Sequence, residues 1–429
     1  MIYAQACDNI REVKIIKYRV EGEMRIENPR YTERFGSVKI NEVQRVIELD
    51  SGRKRNYEKE LLSVRRIDEE RIRDIEEKMA IVLPIKNENT KLFEGVISAI
   101  PHDCLVIVVS NSQRMKIDKF KAERELLTHF CELTQREAFI VHQKDKGFAQ
   151  ALKEVGYTDI LGNDGLVRDG KCEGMIIGIL MAKLLNKDYV GFIDTDNFIP
   201  GSVWEYVANY AAGFNMASSP YSMVRILWKY KHHVDGEFRH FRKWGRVSSF
   251  SNQFVDALIS NRTGFEPDII KTACAGEHAM SLKLAELLPF ASGYAVETYE
   301  LVYILEKFGG SSPIAERSIR DRGIEIFQIE TKNPHVHESR KDEEHLTKKV
   351  LLPSLSAIYH SSLCEPGVKK KILDTLLAQN CLKPNEEPSS PRIYPPIKTV
   401  DFNRFAEFIK PRLANYSAAK ERKGSTSSL

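Results

Sequence analysis

Four apolar runs limit the folds open to this chain. They lie at 79–85, 105–109, 138–142 and 189–193, and each stops at a polar turn. None alternates apolar with polar side chains, as a strand with one wet face would, so each reads as a strand buried on both sides. Segments with helical character lie among them, at 90–99, 118–133 and 171–185. Strands that alternate with helices assemble into a parallel sheet of the α/β class. Ligands of such sheets bind beyond the carboxyl ends of the strands. Lys86-Asn87-Glu88, Ser110-Asn111, Lys146-Gly147 and Asp194-Thr195-Asp196 all follow strand ends and so fall at that edge.

The last of these turns carries the most chemistry. The run 189–193 delivers Asp194 and Asp196 with one residue between them, and Pro200 forbids the strand from continuing. A strand that runs through the motif sets both carboxylates on one face. Two close carboxylates repel each other unless a cation sits between them. A hard divalent ion accepts a few protein oxygens and takes the rest from water and phosphate. The motif reads either as a solvated acidic turn or as the seat of a metal–diphosphate complex. The other turns at the same edge favour the seat.

With 429 residues the chain has length for two or three domains. The net charge of +4 is small for that length and gives no support to a nucleic-acid partner. The seven cysteines form no C-x-x-C pair, as expected of reduced thiols in a cytoplasm. No signal-peptide pattern opens the chain, and no apolar run approaches the roughly 18 residues of a membrane span. The expectation is a soluble cytoplasmic protein with no membrane partner.

Residues 1–78 read as an accessory segment with short strands at 13–20 and 37–49 and a charged helix from 68 to 78. The stretch 225–246 interleaves basic and aromatic residues. It reads as an amphipathic helical segment with its rings packed inward, ahead of a surface for stacked bases. Residues 272–279 form a small-residue turn before an expected helix at 280–288, and amides at such a helix start would form a nest for an anion. A helix over 293–308 carries Glu297 and Glu300, and a strand is expected at 324–330. Asn333-Pro334-His335-Val336-His337-Glu338 follows, where a single imidazole would complete a metal shell. Helices are expected over 344–380 and at 402–413. Between them, 383–398 holds five prolines and reads as a wrapping segment, and 417–429 is a polar tail.

Three of these motifs form a pattern in order: Leu83-Pro84-Ile85-Lys86-Asn87-Glu88, Asp194-Thr195-Asp196 and Asn333-Pro334-His335-Val336-His337-Glu338. Together with 168–174 and Gly276-Glu277-His278, they resemble a GT-A glycosyltransferase, most closely the mannosyl-3-phosphoglycerate synthase family. The resemblance runs roughly from 2 to 396. It implies a GT-A, Rossmann-like nucleotide-sugar-binding domain with a mixed, mainly parallel sheet, an N-terminal accessory segment (1–78) and a helical C-terminal region. Within that plan 79–215 would be the nucleotide-sugar half, 216–340 the acceptor half, and 341–429 the C-terminal helices, proline-rich segment and tail. The implied reaction moves mannose from GDP-mannose to 3-phosphoglycerate with retention, using Mg2+ or Mn2+, toward the compatible solute mannosylglycerate.

The resemblance also implies roles for residues. Pro84, Lys86, Asn87 and Glu88 would meet the guanosine, and Ser110 and Asn111 the base or ribose. Lys146, Gly147 and Arg168 would approach the nucleotide, with Lys171 near the diphosphate. Asp194 would hold ribose or sugar hydroxyls and Asp196 the metal, the two forming the catalytic pair. His335 or His337 would complete the metal shell, with the preference for His337. Thr272, Ala273, Gly276, Glu277 and His278 would cradle phosphoglycerate, with basic help from the 225–246 stretch. The helical C-terminal third offers surface for a homodimer.

Other readings stay open. A related sugar transferase using another nucleotide sugar, such as a glucosyl-3-phosphoglycerate synthase, would share most of the pattern. A nucleotidyltransferase usually carries a Gly-rich loop after its first strand, and 84–88 holds no glycine. An aspartyl phosphatase places its motif early in the chain with Thr or Val where Phe198 stands. A non-enzymatic nucleotide-sugar binder would need neither the 272–278 turn nor the histidine loop. A double displacement needs a carboxylate beneath the sugar carbon. No compelling nucleophile stands out, so same-face attack is favoured, and Glu297 and Glu300 stand where a catalytic base would be sought.

Overall fold

A computed structural model describes residues 23–51, 63–229, 231–234, 238–241, 246–264, 267–310, 314, 316–336 and 345–418. The strands are β1 (Glu23–Glu27), β2 (Thr32–Phe35), β3 (Val38–Ser51), β4 (Val64–Asp68), β5 (Met79–Ile85), β6 (Leu105–Ser110), β7 (Ala138–His142), β8 (Tyr189–Phe192), β9 (Ser222–Leu227), β10 (Lys231–Val234), β11 (Phe238–Phe241), β12 (His278–Ser281), β13 (Phe290–Ala291), β14 (Ile324–Glu330) and β15 (Ile393–Tyr394). Eleven of them form one sheet in the order β4-β1-β3-β14-β9-β12-β8-β5-β6-β7, with β2 added on β3. Strands β1, β2 and β12 run against the rest, so the sheet is mixed and mainly parallel.

The non-alternating strands are explained by two cores. Ala80 and Val82 of β5 point into one, while Met79, Ile81, Leu83 and Ile85 point into the other. Helix Lys171–Leu184 covers the first face and helix Pro200–Met216 the second. The first of these is apolar nearly all round because it is pressed against the sheet. A Cβ on Gly178 would lie 2.6 Å from Cγ2 of Val82, so only glycine permits the approach. The helices after β5, β6 and β7 are capped by Asn89, Asp118 and Asp145, whose side chains accept from Lys91 N, Lys121 N and Phe148 N. Pro200 stands in the first turn of its own helix, where a missing N–H does no harm. At the far edge, Ala418 N donates to the Ala138 carbonyl at 2.8 Å and so covers β7. Among the described residues no helix is long and apolar enough to cross a membrane, and Cys104, Cys131, Cys172, Cys274, Cys364 and Cys381 are free and buried.

Four expectations are corrected. The segment read as accessory belongs, over its described residues, to the main sheet, because β3 pairs in parallel with β14 (Val38 with Ile324). The expected strand 13–20 lies outside the described residues. The 225–246 stretch is not helical over its described residues up to 241; only Arg246 is, as the first residue of the next helix. The first residues of the stretch finish β9, and β10 and β11 pair as an antiparallel hairpin. The helix expected at 280–288 shrinks to Leu282–Ala285. Residues His278–Ser281 become β12, since backbone partners await them on both sides, in β8 and β9. Finally, β8 stops at Phe192, so Asp194 and Asp196 sit in a turn and the alternation argument does not apply to them.

Candidate active site

The carboxyl ends of β5, β6, β7 and β8 meet at one edge, as their parallel pairing requires. The turn after β8 is held from both sides. Asn197 Nδ2 donates to the Asp194 carbonyl at 2.8 Å and to Glu277 Oε1 at 3.1 Å. Thr195 Oγ1 donates to the Pro84 carbonyl at 3.2 Å, and Phe198 N donates to the Val336 carbonyl at 2.8 Å. Ser202 Oγ donates to the Pro334 carbonyl at 2.8 Å. The acidic turn and the histidine loop, 132 residues apart at this bond, are therefore neighbours.

Lys171 is the electrostatic centre. It opens the helix after the 160–170 loop, and its Nζ lies 2.8 Å from Asp194 Oδ1 and 2.9 Å from Glu297 Oε1. Burial opposes its charge, but the Asp194 and Glu297 carboxylates outweigh burial and hold its pKa well above the usual lysine value. Gly276 closes over this pair, since a Cβ there would sit 3.0 Å from Asp194 Oδ2. Glu277, fully buried, is pushed up to about 8 by burial and then by the charge of Asp194, against the pull of Lys171 and the Asn197 amide. Its Oε2 is buried without a hydrogen-bond partner.

The other predicted residues divide into an open edge and a buried wall. Lys86 and Asn87 are exposed, and Pro84 and Glu88 half-buried, directly after or at the end of β5. Asn87 takes a left-handed φ of 62° and accepts from Gln113 N through Oδ1 at 2.9 Å. Asn111 is half-buried, its N bonded to the Ile85 carbonyl at 2.8 Å. Ser110 is fully buried and donates to Glu123 Oε2 at 2.6 Å, so it braces the edge from behind. Lys146 is exposed and Gly147 half-buried at the helix start after β7, while Arg168 is half-buried with its N bonded to the Ile160 carbonyl.

The acceptor-side loop is mostly wall. Thr272, Ala273 and His278 are buried. Arg225, also fully buried, donates through Nε to the Thr272 carbonyl at 2.8 Å and through Nη2 to the carbonyls of Ala273 (3.2 Å) and Glu297 (2.7 Å). Its guanidinium is thus enclosed by protein oxygens, and its expected basic help to a phosphate is corrected to a structural tie. The amide of Ala273 is taken by Asn252 Oδ1 at 2.8 Å, and with β12 in place of the expected helix the proposed helix-start nest is not formed. His278 Nδ1 lies 3.0 Å from the Ala275 carbonyl and its Nε2 3.3 Å from Glu300 Oε2. Glu300, fully buried between His278 and Arg225, lies behind the site. Glu297 reaches it through Lys171.

For a metal, Asp196 offers a half-buried carboxylate on the turn. His335 is buried, its ring stacked on Trp228 at 4.1 Å, with Nδ1 3.1 Å from the Tyr206 hydroxyl. His337 lies outside the described residues. Among the described residues no three His, Cys, Asp or Glu side chains converge on one metal position. The donor set suits an ion that draws the rest of its shell from a bound diphosphate.

The family model for mannosyl-3-phosphoglycerate synthase matches residues 28–409. The chain belongs to the mannosyl-3-phosphoglycerate synthase family. It is 47% identical to the mannosyl-3-phosphoglycerate synthase of Pyrococcus furiosus over 388 residues, 90% of this chain and 97% of that protein. With the enzyme of the same name from Aeropyrum pernix it shares 38% identity over 398 residues, covering 92% and 99%. A crystal structure of glucosyl-3-phosphoglycerate synthase from Mycobacterium tuberculosis, in complex with Mn2+, UDP and glucosyl-3-phosphoglycerate, is similar with a TM-score of 0.44 and 19% identity over 76% of this chain and 95% of that one. The mannosyl-3-phosphoglycerate synthase match takes in β2 to β15, and so every described residue of the site.

Sequence reasoning missed Asn197, Gln143, Glu173 and Tyr394. Asn197 adjoins the acidic pair and was within reach, as an amide beside two carboxylates. Gln143 donates to the carbonyls of Arg168 (2.5 Å) and Gly170 (3.2 Å), and nothing in its local sequence signals that.

Proposed function

We propose that this chain transfers mannose from GDP-mannose to 3-phosphoglycerate with retention, assisted by Mg2+ or Mn2+, in the cytoplasm. Pro84, Lys86, Asn87, Glu88 and Asn111 line the guanosine end, braced by Ser110. Lys146, Gly147 and Arg168 approach the nucleotide from the next strand end. Lys171 faces the diphosphate while holding Asp194, whose carboxylate orients sugar or ribose hydroxyls. Asp196 holds the ion, joined by His335 or His337. Gly276 and Glu277 face the acceptor, with Thr272, Ala273 and His278 as the wall behind them. The observation that carries this reading is the docking of the acidic turn on the histidine loop, through Phe198 N and the Val336 carbonyl at 2.8 Å, beside the Lys171–Asp194 pair.

A divalent ion at Asp196 would offset the negative charge that grows on the departing diphosphate. The protein supplies the rest. Asp194 and Glu297 share one ammonium at 2.8 and 2.9 Å, which blunts either carboxylate as a nucleophile. This supports same-face attack, in which a leaving phosphate oxygen takes the acceptor's proton. Recovery of a mannosyl adduct on Asp194 or Glu297 would overturn that route.

The reaction is tested by GDP release from GDP-mannose with Mg2+ present. Release should require 3-phosphoglycerate and vanish in Asp196→Ala with thermal unfolding little changed. Release indifferent to 3-phosphoglycerate sinks the reading.

A further inference from the structure

The helix that begins with Lys171 is anchored by a carboxylate that faces away from the reacting groups. Glu173, two residues on, is 1% exposed. The Tyr394 hydroxyl donates to its Oε1 at 2.6 Å. Burial raises its pKa, against the pull of that hydroxyl and of the nearby Gly293 amide, and its Oε2 is buried without a hydrogen-bond partner. Gly293 starts the short turn that leads into helix Val296–Phe308, which carries Glu297. A Cβ on Gly170 would fall on the Glu173 carboxylate, so the turn before Lys171 is moulded around that group. Gln143 holds the same turn from the other side through the carbonyls of Arg168 and Gly170. Glu173 therefore sits where the two elements bearing Lys171 and Glu297 meet a third, the proline-rich wrapping segment that carries Tyr394.

We propose that Tyr394 is a positioning residue for the active site: through Glu173 it fixes the turn at Gly170 and so holds the Lys171 ammonium between Asp194 and Glu297. The segment is itself moored independently. Strand β15 pairs with β13 (Tyr394 with Phe290), and the Tyr157 hydroxyl donates to the Pro395 carbonyl at 2.7 Å. Removing the Tyr394 hydroxyl thus loosens Glu173 without freeing the segment.

The inference rests on the reading of Lys171 as part of the transferase site, so its test needs one readout that does not depend on transfer. Tyr394→Phe is compared with wild type for kcat, for KM of each substrate, and for the rate at which a small acylating reagent labels Lys171, followed by peptide mass spectrometry. A displaced catalytic group is expected to lower kcat about tenfold or more. Both KM values should hold, and Lys171 should label faster. Glu173→Gln keeps an oxygen for the hydroxyl and should retain most of the activity. Tyr157→Phe, which removes the other tie of the same segment, should leave kcat and labelling unchanged. If Tyr394→Phe matches wild type in labelling, or if Tyr157→Phe has the same effect as Tyr394→Phe, the proposal is wrong. Should wild type prove inactive with GDP-mannose and 3-phosphoglycerate, the functional reading fails while the labelling comparison still decides this one.

Discussion

Glu277 shows how one buried side chain ties stability to pH. Its carboxyl lies beside Asn197 and near Asp194, and its pKa stands at about 8 in the folded chain. In an unfolded chain it would ionise near the ordinary glutamate value, about 4.3. Between these limits the native state keeps a proton that the unfolded state releases, so stability falls as pH rises. The contribution is complete below the lower value and lost as pH passes through about 8. Glu76 and Asp256, both near 7 for the same reason of burial, act in the same sense. Glu277→Gln should therefore flatten the decline of stability between acid and mildly alkaline pH. Denaturant midpoints taken across that range give the slope, and an unchanged slope would mean that Glu277 ionises normally in the fold.

The elements divide by how much of their pattern is local. Helix Lys171–Leu184 depends on Gly178 against Val82. Gly178→Ala forces the helix off the sheet and should destabilise the chain by about 1–3 kcal/mol, the usual range for overpacking a filled core. Val82→Ala in the same chain should recover part of the loss, measured by a double-mutant cycle. Additive effects would show that the two residues do not touch. Strands β5 to β7 were legible because their burial on both faces is written into unbroken apolar runs. Strand β12 was not: His-Ala-Met-Ser is extended only because β8 and β9 offer it hydrogen bonds on both sides. The β10–β11 hairpin was missed because interleaved basic and aromatic residues suit either period. At the site, the acidic pair and the histidine loop were legible as motifs, but the Lys171–Glu297 bridge was not, because its partners come from helices 126 residues apart.

At the scale of the molecule, the middle of the sheet is built from late sequence. β12 separates β8 from β9, and β14 separates β9 from β3. On a ribosome, β3 and β5 to β8 emerge long before the strands they flank. The inner edge of β8 has no partner until 278–281 is available, and β3 waits for 324–330. Bare sheet edges on a growing chain invite pairing with other chains. A chain ended after residue 264 should accordingly elute as large aggregates, while one ended after 418 should not. A compact monomer from the shorter chain would show that the early strands need no late partner. A cell making this protein must therefore shelter a half-built sheet for most of its synthesis, and slow decoding upstream of β12 would lengthen that exposure.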